Sequence, residues 1–302
     1  MSSSSNHIPV HRSGFITIIG APNAGKSTLL NRILGEKISI TSKKPQTTRN
    51  RILGIRHHPH SQMIFLDTPG IHKAKNLLNT RIVETAIATI ADAEIVLLIV
   101  DAFAPDDESE QILTETLKPL NCPLVLALNK IDKVKKPVLL KMIDNWQQNQ
   151  SFTATVPISA KYGTQVNELI EELQNQLPQG PPYFPKESLT DMPERFIAAE
   201  MIREKAFRLT GQEVPYAIAV TVDSFKEEVN QNLIRIHATL HVERNSQKGI
   251  LIGKNGSKLR QIGEAARKEI QHMVGCRVFL KLFVRVQKNW SKDTKALRKF
   301  GY

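Results

Sequence analysis

The chain has 302 residues, enough for two ordinary domains, and its 41% hydrophobic and 23% charged content fits a soluble globular protein. No apolar run approaches the roughly 20 residues of a membrane-spanning helix, and the opening MSSSSNHIPVHRSGF has no apolar signal core and is too short to be a transit peptide. The net charge is +12, and from Val242 onward 15 Lys and Arg face four acids, so the excess sits in the last fifth of the chain, as in a polyanion-binding end. The two cysteines, Cys122 and Cys276, lie far apart and read as reduced, buried thiols of a cytosolic protein.

The first half alternates apolar runs with helical stretches. Strands are predicted at GFITIIG (14–20), RILGIR (51–56), QMIFLD (62–67), EIVLLIVD (94–101), PLVLALN (123–129) and ATVPIS (154–159). Helices are predicted at KSTLLNRIL (26–34), LNTRIVETAIATI (78–90), SEQILTETLKPL (109–120), VLLKMIDNWQQ (138–148) and QVNELIEELQNQL (165–177). Most strands are apolar throughout, as expected when helices cover both faces of a sheet. The fold class is therefore α/β, a doubly wound domain over residues 1–177.

The proline-rich LPQGPPYFPKESLTDMP (177–193) can continue neither a helix nor a central strand, and the linker is placed at 178–193. Residues 194–302 then read as helix, two strands, a short helical turn, the loop GKNG (253–256), a longer helix and a strand. That α-β-β-α-α-β order is an α+β domain, followed by a basic helix, SKDTKALRKF.

GAPNAGKS (20–27) follows the first strand and opens the first helix, matching G-x-x-x-x-G-K-[ST]. Glycines at such positions let backbone N–H groups curl around phosphate oxygens, and the helix N-terminus adds partial positive charge. The nucleotide-binding residues are Gly20, Ala21, Pro22, Asn23, Ala24, Gly25, Lys26, Ser27 and Thr28, with Lys26 reaching the outer phosphates and Ser27 binding Mg²⁺. Asp67, at the end of the third strand, is placed to hold the same Mg²⁺, and the Gly70 amide to sense a third phosphate. Ile71 stands where many nucleotide-hydrolysing loops carry a glutamine.

Base choice follows from NKID (129–132). The Asp132 carboxylate can accept from the ring N–H and the exocyclic amine of guanine, a donor pair that adenine lacks. Asn129 and Lys130 support the loop and cover the ring, and SAK (Ser159, Ala160, Lys161) offers the Ala160 amide to the guanine carbonyl. The ligand is GTP rather than ATP. In TSKKPQTTRN (41–50), Thr47 and Thr48 are the candidates to complete the magnesium shell.

With these residues in hand, the chain resembles the Era family of ribosome-assembly GTPases. APNAGKSTLLN, QTTRN, DTPG, NKID and SAK resemble that family's GTPase motifs, and IGKNGSKLRQIG resembles its KH-type (type II) RNA-binding domain. The resemblance covers nearly the whole chain. It implies a cytoplasmic, monomeric GTPase that converts GTP to GDP, binds the 3′ region of small-subunit ribosomal RNA and assists assembly of the small ribosomal subunit. It also implies peripheral contact with the inner face of the cell membrane. Of the two threonines it favours Thr48 as the magnesium ligand, beside Lys26 and Asn23 in catalysis. Since Ile71 cannot orient water by hydrogen bonding, the resemblance raises potassium as a second cation, held partly by Asn23. The other reading of Asn23 is a loop asparagine that stabilises its own turn.

At the RNA end, a G-x-x-G loop between two helices clamps the backbone of about four single-stranded nucleotides. The RNA-binding residues are Ile252, Gly253, Lys254, Asn255, Gly256, Ser257 and Lys258, with bases expected against apolar residues such as Ile252 and Ile262. The terminal basic helix either extends that surface or packs on its own domain. HHPH (57–60) reads as a solvated turn rather than a metal site, and Trp146 and Trp290 as packing residues. Two other functions remain open to the sequence: a passive RNA scaffold stabilised by GTP, and a signalling GTPase whose basic end binds anionic lipid.

Overall fold

The computed structural model describes residues 11–42, 47–73, 77–91, 93–211, 214 and 217–302. They form two compact units. The first takes the chain up to Glu36, Arg51–Lys73 and Ala86–Asp191; the second takes Lys37–Asn50, Ala74–Thr85 and Met192–Tyr302.

In the first unit, β1 (Arg12–Gly20), β2 (Ile52–His58), β3 (Ser61–Asp67), β4 (Ile95–Asp101), β5 (Leu124–Asn129) and β6 (Ala154–Pro157) form one sheet in the order β2-β3-β1-β4-β5-β6. All neighbours are parallel except the β2–β3 hairpin. Both β3 and β4 are buried at every position, as strands covered on both faces must be. The helices are α1 (Lys26–Leu34), α2 (Leu77–Ile90, whose residues from Ala86 belong to this unit), α3 (Asp107–Leu117), α4 (Lys136–Asn149) and α5 (Val166–Gln176). The Asp106 side chain caps α3 by accepting from the Ser109 amide at 3.2 Å. Trp146 packs in the core with Leu98, Leu126 and Leu128.

Strand order reverses at β1, which lies between β3 and β4. In open α/β sheets, ligands bind outside the carboxyl ends of strands at such a point. Register aligns the chemistry there: Ile18 pairs with Asp67, and Asp101 with Asn129.

The proline-rich stretch is bound to this unit along most of its length. Ser13 N donates to Pro178 O at 3.1 Å, and Gln62 bonds Tyr183 N, Phe184 N and Phe184 O at 2.7–2.9 Å. Ile55 N donates to Leu189 O at 2.8 Å. Prolines bring fewer donors, and the unit's own polar groups tie the strap down. His57 belongs to β2 and bonds Ser188 O at 2.8 Å, while His58 and His60 are exposed around the hairpin. No metal-binding cluster of His, Cys, Asp or Glu occurs among the described residues.

In the second unit, β7 (Ala219–Glu228), β8 (Leu233–Val242) and β9 (Arg277–Val286) form a sheet in that order, β7–β8 antiparallel and β8–β9 parallel. Helices α6 (Glu194–Leu209), α7 (Asn245–Ile252) and α8 (Ser257–Val274) complete the α-β-β-α-α-β order. Strand β7 begins at Ala219, Ala217 and Ile218 lying before it outside the sheet. Ile234, Ile236, Ala238 and Leu240 of β8 face a core shared with Ile202, Ile262, Ala266 and Ile270. Ile262 is thus fully buried and does not line a groove for bases, which corrects the expectation made for it: it lies on the apolar stripe by which α8 packs.

The terminal helix, α9 (Thr294–Lys299), packs on its own unit. Leu297 and Phe300 are buried with Ala219 and Trp290, and the Trp290 indole N–H donates to Ala217 O at 3.0 Å. Residues Lys37–Asn50 are also part of this unit. Lys37 bridges Glu204 at 2.5 Å and Glu269 at 2.8 Å, Arg208 donates to Thr41 O at 2.8 Å, and Arg203 donates to Thr47 O. Arg49 donates to Ile218 O at 2.9 Å. Lys43–Gln46 of the TSKKPQTTRN stretch lie outside the described residues.

Candidate nucleotide site and nucleic-acid interface

The loop from Gly20 to Gly25 is shaped by backbone that L side chains rarely adopt. Gly20, Asn23 and Gly25 have φ of 153°, 63° and 107°. A Cβ at Gly20 would lie 2.2 Å from Ile99 O, and one at Gly25 would lie 2.1 Å from Asn129 Nδ2. Both glycines are therefore demanded by packing as well as by conformation. Asn23 has the residue type that tolerates positive φ best after glycine, and its side chain is exposed.

Lys26 opens α1 and folds back over the loop, donating to Gly20 O at 3.0 Å and Ala21 O at 2.8 Å. Burial pushes its pKa down to about 8, with nearby Asp67 offsetting part of that shift. A buried ammonium held only by carbonyls gains strongly from an anion, and phosphate oxygens would supply one. The Ser27 hydroxyl donates to Asp67 Oδ2 at 2.7 Å, so two hard oxygen donors meet at the helix N-terminus. That donor chemistry fits Mg²⁺. Thr48 is buried within the Lys37–Asn50 segment of the second unit.

After Asp67, Thr68 donates to Ile18 O at 2.8 Å, and Ile71 N to Gly20 O at 3.1 Å. A Cβ at Gly70 would meet the Pro22 backbone at 2.7 Å. The phosphate loop and the D-T-P-G turn are thus in backbone contact. The Ile71 side chain is fully buried beside Ile19, Val100 and Leu128, so it serves packing. His72 Nδ1 lies 2.8 Å from Gly70 O.

Asn129 ties three loops together. Its Nδ2 donates to Ala24 O at 2.7 Å, while its Oδ1 accepts from Lys130 N at 2.8 Å and Ala160 N at 2.9 Å. The Ala160 amide, expected to face a guanine carbonyl, is engaged by Asn129, because a buried N–H requires a partner. Asp132 is exposed at the rim, and its Oδ1 accepts from the buried Ser159 hydroxyl at 2.6 Å, leaving the carboxylate aimed by a fixed neighbour. Lys161 is exposed, its ammonium 4.6 Å from the Tyr162 ring centroid.

Two contributors escape sequence reasoning. Asp101 pairs with the Lys130 ammonium and accepts from Phe103 N at 3.0 Å and Ala104 N at 3.1 Å. Lys130 itself has φ 68°. The available signal was a second acid closing a strand, level with Asn129. Arg32 donates from Nε to Ala160 O at 3.3 Å and from its terminal nitrogen to Lys161 O; no motif marks it.

In the second unit, Gly253, Asn255 and Gly256 have φ of 71°, 52° and 76°. Gly253 ends α7, its amide donating to Gly249 O at 2.8 Å, and Gly256 leads into α8. A Cβ at Gly253 would lie 2.7 Å from Lys258 Cβ. Lys254, Asn255 and Ser257 are exposed, and Ile252 and Lys258 are half-buried, with Lys258 Nζ 3.4 Å from Gln261 Oε1. The loop presents a cation, an amide and the N-terminal amides of an 18-residue helix on one surface, a combination suited to phosphodiester groups.

A family model described as a 50S ribosome-binding GTPase matches residues 15–130, and a KH domain model matches 213–291. GTPase Era of Geobacter metallireducens is 54% identical over 96% of this chain and 98% of its own length. GTPase Era of Syntrophus aciditrophicus is 52% identical over 96% of this chain and 95% of its own. A crystal structure of Era in complex with MgGDPNP and nucleotides 1506–1542 of 16S ribosomal RNA superposes with a TM-score of 0.92 at 41% identity, covering 97% of this chain and 99% of that one. A point variant of Aquifex aeolicus Era bound to GDP.AlF4⁻ gives the same score and identity, over 96% and 99%. With the phosphate loop, guanine-reading loops and KH fold in one chain, the protein belongs to the Era family of GTPases.

Proposed function

We propose that this GTPase is an RNA-coupled switch, in which the first unit binds and hydrolyses GTP and the GKNG loop of the second binds the 3′ region of small-subunit ribosomal RNA during assembly of that subunit. The observation that carries this reading is that one chain holds two loops, Gly20–Ser27 and Gly253–Gly256, whose positive-φ glycines lead into a helix N-terminus, where backbone amides can meet phosphate. The related Era bound to nucleotides 1506–1542 of 16S ribosomal RNA supports the choice of RNA. We place the protein in the cytoplasm as a monomer, with peripheral contact to the membrane.

In this reading Lys26 leaves the Gly20 and Ala21 carbonyls for the outer phosphates, and Asp132, aimed by Ser159, accepts from guanine. Ser27 and Asp67 would hold Mg²⁺, with Thr48 as a further ligand; when bound, the ion neutralises charge on the phosphates. Ile71 supplies no hydrogen bond to the attacking water, since its side chain is in the core. Potassium, reached by the exposed Asn23 amide, is the proposed substitute. GTP turnover should then be faster in potassium than in sodium buffer, and Asn23→Ala should erase the difference while still binding GTP. Equal rates in the two salts exclude it.

The reading as a whole is tested by Lys254→Asp with Asn255→Asp. Both glycines remain and both side chains face solvent, so the loop keeps its shape. Affinity for a single-stranded RNA of the 16S 3′ sequence should fall severely, basal GTP turnover should stay near wild type, and any stimulation by RNA should vanish. Unchanged RNA affinity would refute the assignment of the loop.

A further inference from the structure

The outer face of the β7-β8-β9 sheet is treated unequally along its length. At one end α9 covers it: His241 and Phe300 rings pack at 4.6 Å, and Ala219 lies in the same cluster. Toward the other end none of the described residues covers it. Strand β9 alternates there, sending Val278 and the half-buried Leu280 and Leu282 inward and Arg277, Phe279, Lys281 and Phe283 outward. Phe279 and Phe283, 44% and 45% exposed on the same face of one strand, call for a partner.

Charge indicates what that partner is. The Arg235 guanidinium sits 5.3 Å from the Phe279 ring centroid, and the Lys281 ammonium 5.2 Å from that of Phe283. His237 meets Phe283 edge-on at 6.4 Å. At the bare end of the strands a cavity of about 390 Å³ is lined by Arg235, Arg267, Arg277 and Phe279 together with Gln231 and Gln271. Glu228 pairs with Arg235 at 2.5 Å and Arg277 donates to Gln231 O, so two of the arginines are fixed in place. Asp223, a further acid of β7, is engaged by the Thr221 and Thr239 hydroxyls. Exposed rings flanked by cations on an open sheet are the means by which some RNA-binding domains stack unpaired bases and hold their phosphates. Phe279 and Phe283 are four residues apart on one strand, about 13 Å, a span that unpaired nucleotides bridge.

We propose that this bare face is a second single-stranded RNA surface, separate from the GKNG loop, with bases stacked on Phe279 and Phe283 and phosphates held by Arg235, Arg277 and Lys281. The inference rests on the reading of the second unit as RNA-binding, and the two are separable by experiment. The full chain is titrated with an unpaired pyrimidine-rich RNA of about 16 nucleotides carrying photoreactive 4-thiouridine, enough to fill more than the four-nucleotide loop site. Phe279→Ala with Phe283→Ala should weaken binding roughly 5-fold or more for each ring lost. Crosslinks should map to β9 in the wild type and persist there in Lys254→Asp/Asn255→Asp at saturating RNA. Arg277→Glu with Lys281→Glu, which leaves both rings in place, should weaken RNA binding and leave basal GTP turnover unchanged. Loss of crosslinks only at residues 252–258 in the loop variant, with none ever found on β9 and full affinity in the phenylalanine variant, overturns the second surface and leaves the first intact. A blunt RNA duplex that competes as well as the single strand overturns the stacking.

Discussion

Two loops in this molecule solve a related problem in opposite ways. Gly20–Ser27 and Gly253–Gly256 each place glycines and one asparagine at positive φ just ahead of a helix N-terminus, and each carries one lysine. In the first, the lysine is buried, and the loop is wedged against Ile99, Asn129 and Gly70. In the second, lysine and asparagine are exposed, and a Cβ at Gly256 would meet nothing within 4 Å. A compact triphosphate is engulfed, so its loop is built against neighbours on several sides. If the second loop takes a polymer, as proposed, the open space at Gly256 leaves room for a strand to enter and leave sideways.

The comparison is broken most directly at Gly25. Gly25→Ala forces a methyl onto Asn129 Nδ2, with φ at 107°, and so displaces the residue that ties three loops together. A shift of about 1 Å at such a site costs about 10²-fold in function, and GTP affinity measured by calorimetry should fall by at least that much. Gly256→Ala is the milder counterpart. With φ at 76° and open space around it, it bears only the backbone penalty of about 1–2 kcal/mol. RNA affinity should drop several-fold with GTP binding unchanged. If Gly256→Ala proves as damaging as Gly25→Ala, the two loops are equally constrained and the contrast fails.

A third effect is one of pH. Because burial sets Lys26 near 8 in the protein alone, raising the pH past that value discharges it, and a bound phosphate must restore the proton. GTP affinity should therefore decline by about tenfold between pH 7 and 9, with proton uptake on binding visible as a buffer-dependent heat. RNA affinity, which does not involve Lys26, provides the reference. A flat GTP profile would mean that the lysine keeps its charge despite burial.

Much of this was legible in the sequence, for identifiable reasons. Most strands of the first sheet are short apolar runs closed by turn residues, and the motifs sit where β1, β3, β5 and β6 end. What escaped depends on long-range pairing. Asp101 matters because β4 and β5 lie side by side, which no local pattern encodes. Arg32 acts on carbonyls 128 and 129 residues away. Ile262 was misjudged because apolar residues after a G-x-x-G loop serve core and groove alike, and only packing separates them. The proline strap reads as a free spacer until Gln62 is seen holding it.

The segment Lys37–Asn50 has a consequence for anyone dividing the protein. Cutting at the prolines would leave it covalently with the N-terminal fragment, while Glu204, Arg203, Arg208 and the Ile218 carbonyl, which satisfy its polar groups, would depart with the other. Each fragment would be left with broken ion pairs that the sequence boundary does not reveal. The covalent border and the border of mutual dependence run through different places, and fragments drawn by the first will misreport both halves.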